Sequence, residues 1–117
     1  MREPFSNFAE VKFLDYDQLL SNLRQAVRAA KAEHPEIVKV MLFGSLVQGN
    51  WTADSDADLI VVVRRDFPDF IISRAPYQIF TPAIPTDSLI YSEREFGQMS
   101  ADPESFLARN LPTAIEL

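Results

Sequence analysis

The chain has 117 residues and a formal net charge of −6, and 47% of its residues are apolar. This length and composition predict one globular domain over residues 1–117. The acidic net charge argues against direct binding to a nucleic-acid backbone, which needs clustered Lys and Arg. The lack of cysteine excludes disulfides and thiolate metal sites, and the single histidine excludes a His-rich zinc site.

The apolar runs are too short for a membrane span. A transmembrane helix needs roughly 18 or more consecutive apolar residues, and the longest run here is far shorter. The first residues also lack the apolar stretch of a secretory signal. We therefore expect a cytoplasmic protein that makes no contact with a membrane.

The first predicted element is a helix that begins at Asp15. Asp15 can cap this helix, with Gln18 three residues later as the capping-box partner. Apolar residues at helical spacing continue it, and His34-Pro35 ends it because the residue before proline disfavours helical geometry. Residues 1–14 carry scattered apolar side chains and are expected to form a short lead-in.

Two apolar strands follow, separated by a Gly-Ser turn and a polar loop. The first strand is predicted over residues 37–43, and Gly44-Ser45 ends it. Residues 46–48 are expected to form one helical turn that Gly49 closes, and residues 50–55 a loop. Trp51 in this loop is interpreted as a packing residue. The continuous apolar run over residues 57–63 is typical of a strand buried on both faces.

The rest of the chain predicts a proline-interrupted stretch, then one strand, two helices and a short final strand. Prolines interrupt residues 67–85, where a short helix over 69–74 and an extended segment over 77–80 are predicted. A third strand is expected over 86–91. Ser92 and Glu95 form a capping box for a helix to about residue 100. Asp102-Pro103 predicts the start of another helix that ends near residue 110, before a final strand over 114–117. The order predicts an α+β fold, a small mixed sheet flanked by helices.

Asp56 and Asp58 are the first candidate site residues. Alternate residues of a strand share a face, so these two carboxylates point the same way, whereas Ala57 points into the core. Two carboxylates at this spacing favour a cation between them. Mg²⁺ accepts one or two carboxylates together with waters and substrate phosphates. The alternative is a purely structural role, as an acidic solvated turn before a buried strand. For this segment taken alone, that role is the commoner one.

Gly44 and Ser45 are the second candidate site. Gly44 allows close approach of the backbone, and Ser45 stands at the start of a turn whose N–H groups can face a phosphate. An ordinary turn with Ser45 as its cap would also explain the pair. Their position at the end of one apolar strand, ten residues before the acidic start of the next, favours a site.

Asp87 is the candidate third carboxylate. It lies near the start of the predicted third strand, and would join Asp56 and Asp58 if that strand neighbours the second. Its expected role is to accept the proton of an attacking hydroxyl or to bind a second metal ion. A structural role at the start of the strand is the alternative.

Gly44-Ser45, ten intervening residues and Asp56-Ala57-Asp58 resemble the signature of the minimal nucleotidyltransferase domain of the DNA polymerase beta-like nucleotidyltransferase superfamily. The resemblance is strongest over residues 37–63. It implies the polymerase beta-like fold and transfer of a nucleoside monophosphate, AMP from ATP, with two Mg²⁺ ions. It maps nucleotide binding to Gly44 and Ser45, and the catalytic metal ligands to Asp56, Asp58 and Asp87. Asp66 and Asp69 are weaker candidates for the third acid.

The resemblance also suggests an acceptor. Stand-alone domains similar to this one often pair with a helical HEPN toxin protein and act as its antitoxin, in some cases by transferring AMP to it. A non-catalytic antitoxin module that binds a nucleotide or a partner is one alternative. Transfer to RNA or to a small molecule with the help of a partner subunit is another.

Overall fold

A mixed β-sheet with helices on both faces forms the centre of the molecule. The computed structural model describes residues 4–49, 52, 54–68 and 72–117, and residues 4–15 only as helical backbone. Trp51 and Asp69 lie outside the described residues. In the described part of the chain, no helix has an apolar stretch that could cross a bilayer.

The sheet has four strands within the described residues, with the bounds Ile37–Phe43 for β1, Ala57–Val63 for β2, Thr86–Ser92 for β3 and Ile115–Glu116 for β4. All four strands lie where the sequence predicts them, because their apolar runs are bounded by Gly, Pro or charged residues. Their order in the sheet is β3-β2-β1-β4. Strands β2 and β3 run parallel, whereas β1 is antiparallel to both β2 and β4.

The helices agree less well with prediction at their first residues. They are α1 (Pro4–Glu33), α2 (Ser45–Gln48), α3 (Glu93–Ala101) and α4 (Phe106–Asn110), with 3₁₀ turns at Ala75–Tyr77 and Leu111–Thr113. The predicted helix start at Asp15 is wrong. Proline is tolerated in a first helical turn, and no Gly or Pro interrupts residues 5–14, so the helix continues back to Pro4.

The predicted start of the last helix at Asp102-Pro103 is also wrong. Ser105 caps α4 instead, with its Oγ accepting a hydrogen bond from the Ala108 N–H at 3.1 Å. The Asp102 carboxylate is engaged locally, since it accepts from the Glu104 N–H at 3.0 Å. Of the short helix predicted over 69–74, residues 69–71 lie outside the described residues and residues 72–74 form a turn. Tyr77 lies in a 3₁₀ turn and not in an extended segment.

Strand β2 lies at the centre of the core and is covered on both faces, as its continuous apolar run predicts. Leu59 and Val61 pack towards α1, whose buried residues recur every four positions at Leu19, Leu23 and Val27. On the opposite face, a second cluster packs against α3 and α4. Its buried members are Phe43, Ile60, Val62 and Leu107.

The predicted capping box of α3 is present and is extended by an arginine from a distant loop. Ser92 Oγ accepts from the Glu95 N–H at 3.0 Å, and Glu95 Oε1 accepts from the Ser92 N–H at 2.9 Å. Both guanidinium Nη atoms of Arg74 donate to the Glu95 carboxylate at 2.8 Å. The Arg74 hydrogen bonds, with the help of Ser92, lower the pKa of Glu95 to about 2. The cluster thereby fixes the start of α3 to the loop before β3.

This lowered pKa predicts a loss of stability in acid. The folded-state pKa of Glu95 lies below its ordinary value of 4.5, so the contribution is complete above about pH 4.5 and is lost as the pH falls towards 2. At pH 7, we expect Glu95→Gln to lower the free energy of unfolding by about 1 kcal/mol, a modest value because the pair is partly exposed. Urea denaturation from pH 6 to pH 2.5 should show the difference from wild type shrinking.

The matched control is Glu93→Gln. Glu93 also begins α3 and pairs with Arg64 at 2.9 Å, but both of those side chains are well exposed and Glu93 does not cap the helix. A difference between wild type and Glu95→Gln that stays constant down to pH 2.5 would contradict the assignment.

Candidate active site

Three chain segments meet at one end of the sheet. Because β1 is antiparallel to β2, the C-terminal end of β1 lies beside the N-terminal end of β2, and Phe43 pairs with Asp58. Because β3 is parallel to β2, the two strands begin at this same end, and Asp58 pairs with Asp87. Asp58 is therefore flanked by Phe43, directly before Gly44, on one side and by Asp87 on the other.

Strand alternation places Asp58 and Ala57 on opposite faces of the sheet, as predicted, whereas Asp56 lies outside the strand. Ala57 is fully buried in the cluster beneath α1, so the neighbouring Asp58 faces the opposite side of the sheet. Asp87 is in register with Asp58 and shares this face, while Asp56 lies just before β2. Asp56 and Asp87 are exposed and Asp58 is half-buried. A hydrogen bond of 2.9 Å from the Ala57 N–H to the Pro85 carbonyl joins the segments that carry them.

The environment of Asp58 is unfavourable for its negative charge. Burial raises the pKa of Asp58 above its ordinary value of 3.8, and the charges of Asp87 and Asp56 raise it further. Perturbed carboxylates of this kind concentrate at functional sites. Asp87 and Asp56 are therefore near enough to Asp58 to act on its charge.

The Gly44-Ser45 turn lies against the same carboxylate. Gly44 has φ 85° and ψ −151°, a conformation that suits glycine. A Cβ atom at Gly44 would lie 2.5 Å from Oδ2 of Asp58. Ser45 begins α2, which Gly49 ends in the left-handed conformation, as predicted.

Tyr16 is a contributor that sequence reasoning missed. Its hydroxyl donates a 2.9 Å hydrogen bond to the carbonyl of Leu46, which ties the short helix after Gly44 to α1. The two residues are 30 positions apart and nothing in the local pattern around Tyr16 connects them. The tie supports the turn from the α1 side of the sheet.

Asp66, the weaker candidate that the structure describes, lies away from this end. Asp66 follows the C-terminal end of β2, and the strand from Asp58 to Val63 alone spans about 17 Å. Asp66 lies 3.8 Å from Arg94 in an exposed ion pair. The alternative of Asp66 as the third acid is therefore wrong.

The acidic side chains suit Mg²⁺ by their chemistry. Carboxylate oxygens are its preferred protein ligands, and a cation would relieve the repulsion that Asp87 and Asp56 impose on Asp58. Within the described residues, no three acidic or histidine side chains are close enough to hold a metal ion by themselves. Mg²⁺ commonly completes its coordination with water and substrate phosphates, so the donor set fits an ion that arrives with a nucleotide.

This sheet, its flanking helices and the carboxylates beside the Gly-Ser turn define a polymerase beta-like nucleotidyltransferase fold. The family model for the nucleotidyltransferase domain matches residues 23–107. The match covers well over half of the chain, and the protein belongs to this family of enzymes.

One relative and one solved structure are similar to this chain. The chain is 29% identical over 77 residues to a candidate protein adenylyltransferase of Methanocaldococcus jannaschii. The aligned residues cover 65% of this chain and 76% of the relative. The fold of the present chain is similar to that in the crystal structure of a candidate nucleotidyltransferase from Sulfolobus solfataricus. That similarity has a TM-score of 0.57 at 18% identity, over 72% of this chain and 76% of the other.

Proposed function

We propose that this protein transfers AMP from ATP to a hydroxyl group of another protein in the cytoplasm. The observation that carries the proposal is the position of Asp58 between Gly44 and Asp87, in a chain of the nucleotidyltransferase family. The choice of an adenylyl group and of a protein acceptor is supported by the name of the archaeal relative.

The reaction is an in-line displacement at the α-phosphorus of ATP. The acceptor oxygen forms a bond to the α-phosphorus as the bond to the bridging oxygen of the β-phosphate breaks, and pyrophosphate leaves. Asp87 accepts the proton of the attacking hydroxyl. Gly44 and Ser45 contact the β- and γ-phosphates, with Gly44 allowing close approach of the backbone.

Asp56, Asp58 and Asp87 are the proposed ligands of Mg²⁺, for which two ions are expected. Mg²⁺ bound there would offset the negative charge of the triphosphate and of the departing pyrophosphate. Asp58 and Asp87 lie on the adjacent parallel strands β2 and β3, and Asp56 lies directly before β2, so the sheet would hold these ligands in place.

The proposed acceptor is a HEPN-type toxin protein, whose activity AMP transfer would restrain. This part of the proposal rests on the resemblance of the chain to antitoxins of such pairs and on its net charge of −6, which would complement a basic partner. Co-expression with the product of the neighbouring gene, followed by intact-mass analysis, tests it. A partner without the added mass of AMP would contradict this acceptor.

The reaction itself is tested with ATP labelled at either the α- or the γ-phosphate. Protein and acceptor are incubated with Mg²⁺, and label that becomes acid-insoluble is counted. We expect the α label to be transferred, the γ label to appear only in pyrophosphate, and chelation by EDTA to stop transfer. Transfer of the γ label would indicate a kinase and would contradict the proposal.

The same experiment separates the alternatives. Nucleotide binding without transfer of the α label to any acceptor would favour the non-catalytic antitoxin module. Label found on RNA or on a small molecule would favour the other alternative, transfer to such an acceptor with the help of a partner subunit. The acidic charge of this chain argues against an RNA acceptor bound by this chain alone.

A further inference from the structure

The two glycines that flank α2 have similar φ angles but different surroundings. Gly44 has φ 85° and Gly49 has φ 83°. A Cβ atom on Gly49 would meet nothing within 4 Å. A Cβ atom on Gly44 would lie 2.5 Å from Oδ2, 3.4 Å from Cγ and 3.6 Å from Cβ of Asp58. The backbone conformation explains Gly49, whereas Gly44 is also constrained by a specific side chain.

The neighbours of the Asp58 carboxylate differ on its two sides. Its strand neighbours are Phe43 on β1, in the buried cluster, and Asp87 on β3. The negative charge of Asp87 disfavours a second carboxylate close to it when no cation is bound. On the other side, Oδ2 of Asp58 lies where a side chain at residue 44 would begin.

We propose that Gly44 is a positioning residue for Asp58, and that its missing side chain reserves the space in which the Asp58 carboxylate lies. This inference rests on the proposed function for the role of Asp58, but the steric relation can be tested without catalysis. It differs from a direct role of Gly44 in phosphate binding, because Gly44 acts here through the orientation of a carboxylate. A side chain at residue 44 would turn the carboxylate away from its ligand position.

A double-mutant cycle of Gly44→Ala and Asp58→Ala tests the steric relation. The backbone strain of alanine at residue 44 is the same in both backgrounds and cancels in the cycle. In the Asp58→Ala background, the close approaches to Oδ2 and Cγ are absent, and the Cβ of residue 58 lies at an ordinary contact distance of 3.6 Å. We expect Gly44→Ala to lower the urea midpoint less in that background than in wild type. Equal losses in both backgrounds would overturn the inference.

Binding of Mn²⁺, followed by electron paramagnetic resonance with ATP present, gives a readout that a purely structural role would not move. We expect Gly44→Ala to weaken Mn²⁺ binding by about 10-fold or more, as loss of a supporting contact to a ligand commonly does. We expect a smaller loss in the Asp58→Ala background, where only the proposed phosphate contacts of Gly44 remain to be affected. Gly49→Ala is the control, and we expect its Mn²⁺ affinity to equal that of wild type. An unchanged affinity in Gly44→Ala would overturn the inference.

The two proposals fail in different ways. If Asp58→Ala leaves Mn²⁺ binding unchanged, the metal-ligand role in the proposed function fails, while the stability cycle still decides the steric relation. If Gly44→Ala does not fold, the double variant Gly44→Ala/Asp58→Ala must fold, because the clash has been removed. An unfolded double variant would show that backbone strain alone requires glycine, and would overturn the inference.

Discussion

Asp58→Asn is expected to reduce nucleotidyl transfer by on the order of 10²–10³-fold or more and, in the same molecule, to stabilise the metal-free fold at neutral pH. The two effects have one cause. Burial, Asp87 and Asp56 all disfavour the charge of Asp58 and raise its pKa. The charge that makes the residue a metal ligand therefore destabilises the fold when no metal is bound.

The stabilisation has a defined pH dependence. The folded-state pKa of Asp58 lies above its ordinary value of 3.8, so the destabilising effect is absent below about pH 3.8. It develops as the pH rises through that value towards the raised pKa, and is complete above it. Asp58→Asn should therefore exceed wild type in stability at pH 7, and the difference should vanish near pH 3.

Urea denaturation in EDTA at pH 7 and pH 3 measures this difference. Asp54→Asn is the matched control, since Asp54 is an exposed carboxylate in the loop before Asp56. Addition of Mg²⁺ and ATP should then stabilise wild type more than Asp58→Asn, because a ligand stabilises the state that binds it. A variant that is less stable than wild type at pH 7 in EDTA would refute this account of Asp58.

The strands that carry Gly44-Ser45 and Asp58 could be predicted from the sequence, because the residue patterns that indicate them are local. The apolar runs before Gly44 and after Asp56 each define a strand, and period-two alternation orients Asp58 opposite to Ala57. The capping box of Ser92 and Glu95 lies within four residues and was equally readable. These features depend on residues close together in the sequence, so the sequence pattern is sufficient to predict them.

The features that pattern could not reach depend on residues far apart in the chain. The hydrogen bonds from Arg74 to Glu95, and from Tyr16 to Leu46, join segments that only the folded topology brings together. The contact between Gly44 and Asp58 is similar, since a Gly-Ser turn indicates conformational freedom but not what fills the space beside it. The start of α1 was missed because Asp15 is a good capping residue that the longer helix simply includes.

Asp87→Asn is expected to lower the rate of AMP transfer by about 10²–10⁴-fold, the contribution typical of a general base. Asp87 is in register with Asp58 at the start of β3 and is exposed, so an acceptor hydroxyl can reach it. The affinity for ATP should change little, because Gly44 and Ser45 are the proposed contacts of the β- and γ-phosphates. Single-turnover rates and equilibrium binding of ATP separate the two effects.

Asp66→Asn is the matched control for Asp87→Asn. It removes the same charge from an exposed carboxylate at the far end of β2, where Asp66 faces Arg94. We expect Asp66→Asn to retain the wild-type rate of transfer. If raising the Mg²⁺ concentration restores the rate of Asp87→Asn, the proposed metal-ligand role of Asp87 accounts for the loss and its role as the base is refuted. If the rate of Asp87→Asn equals that of Asp66→Asn without added Mg²⁺, Asp87 has neither role and the site must draw its third group from elsewhere.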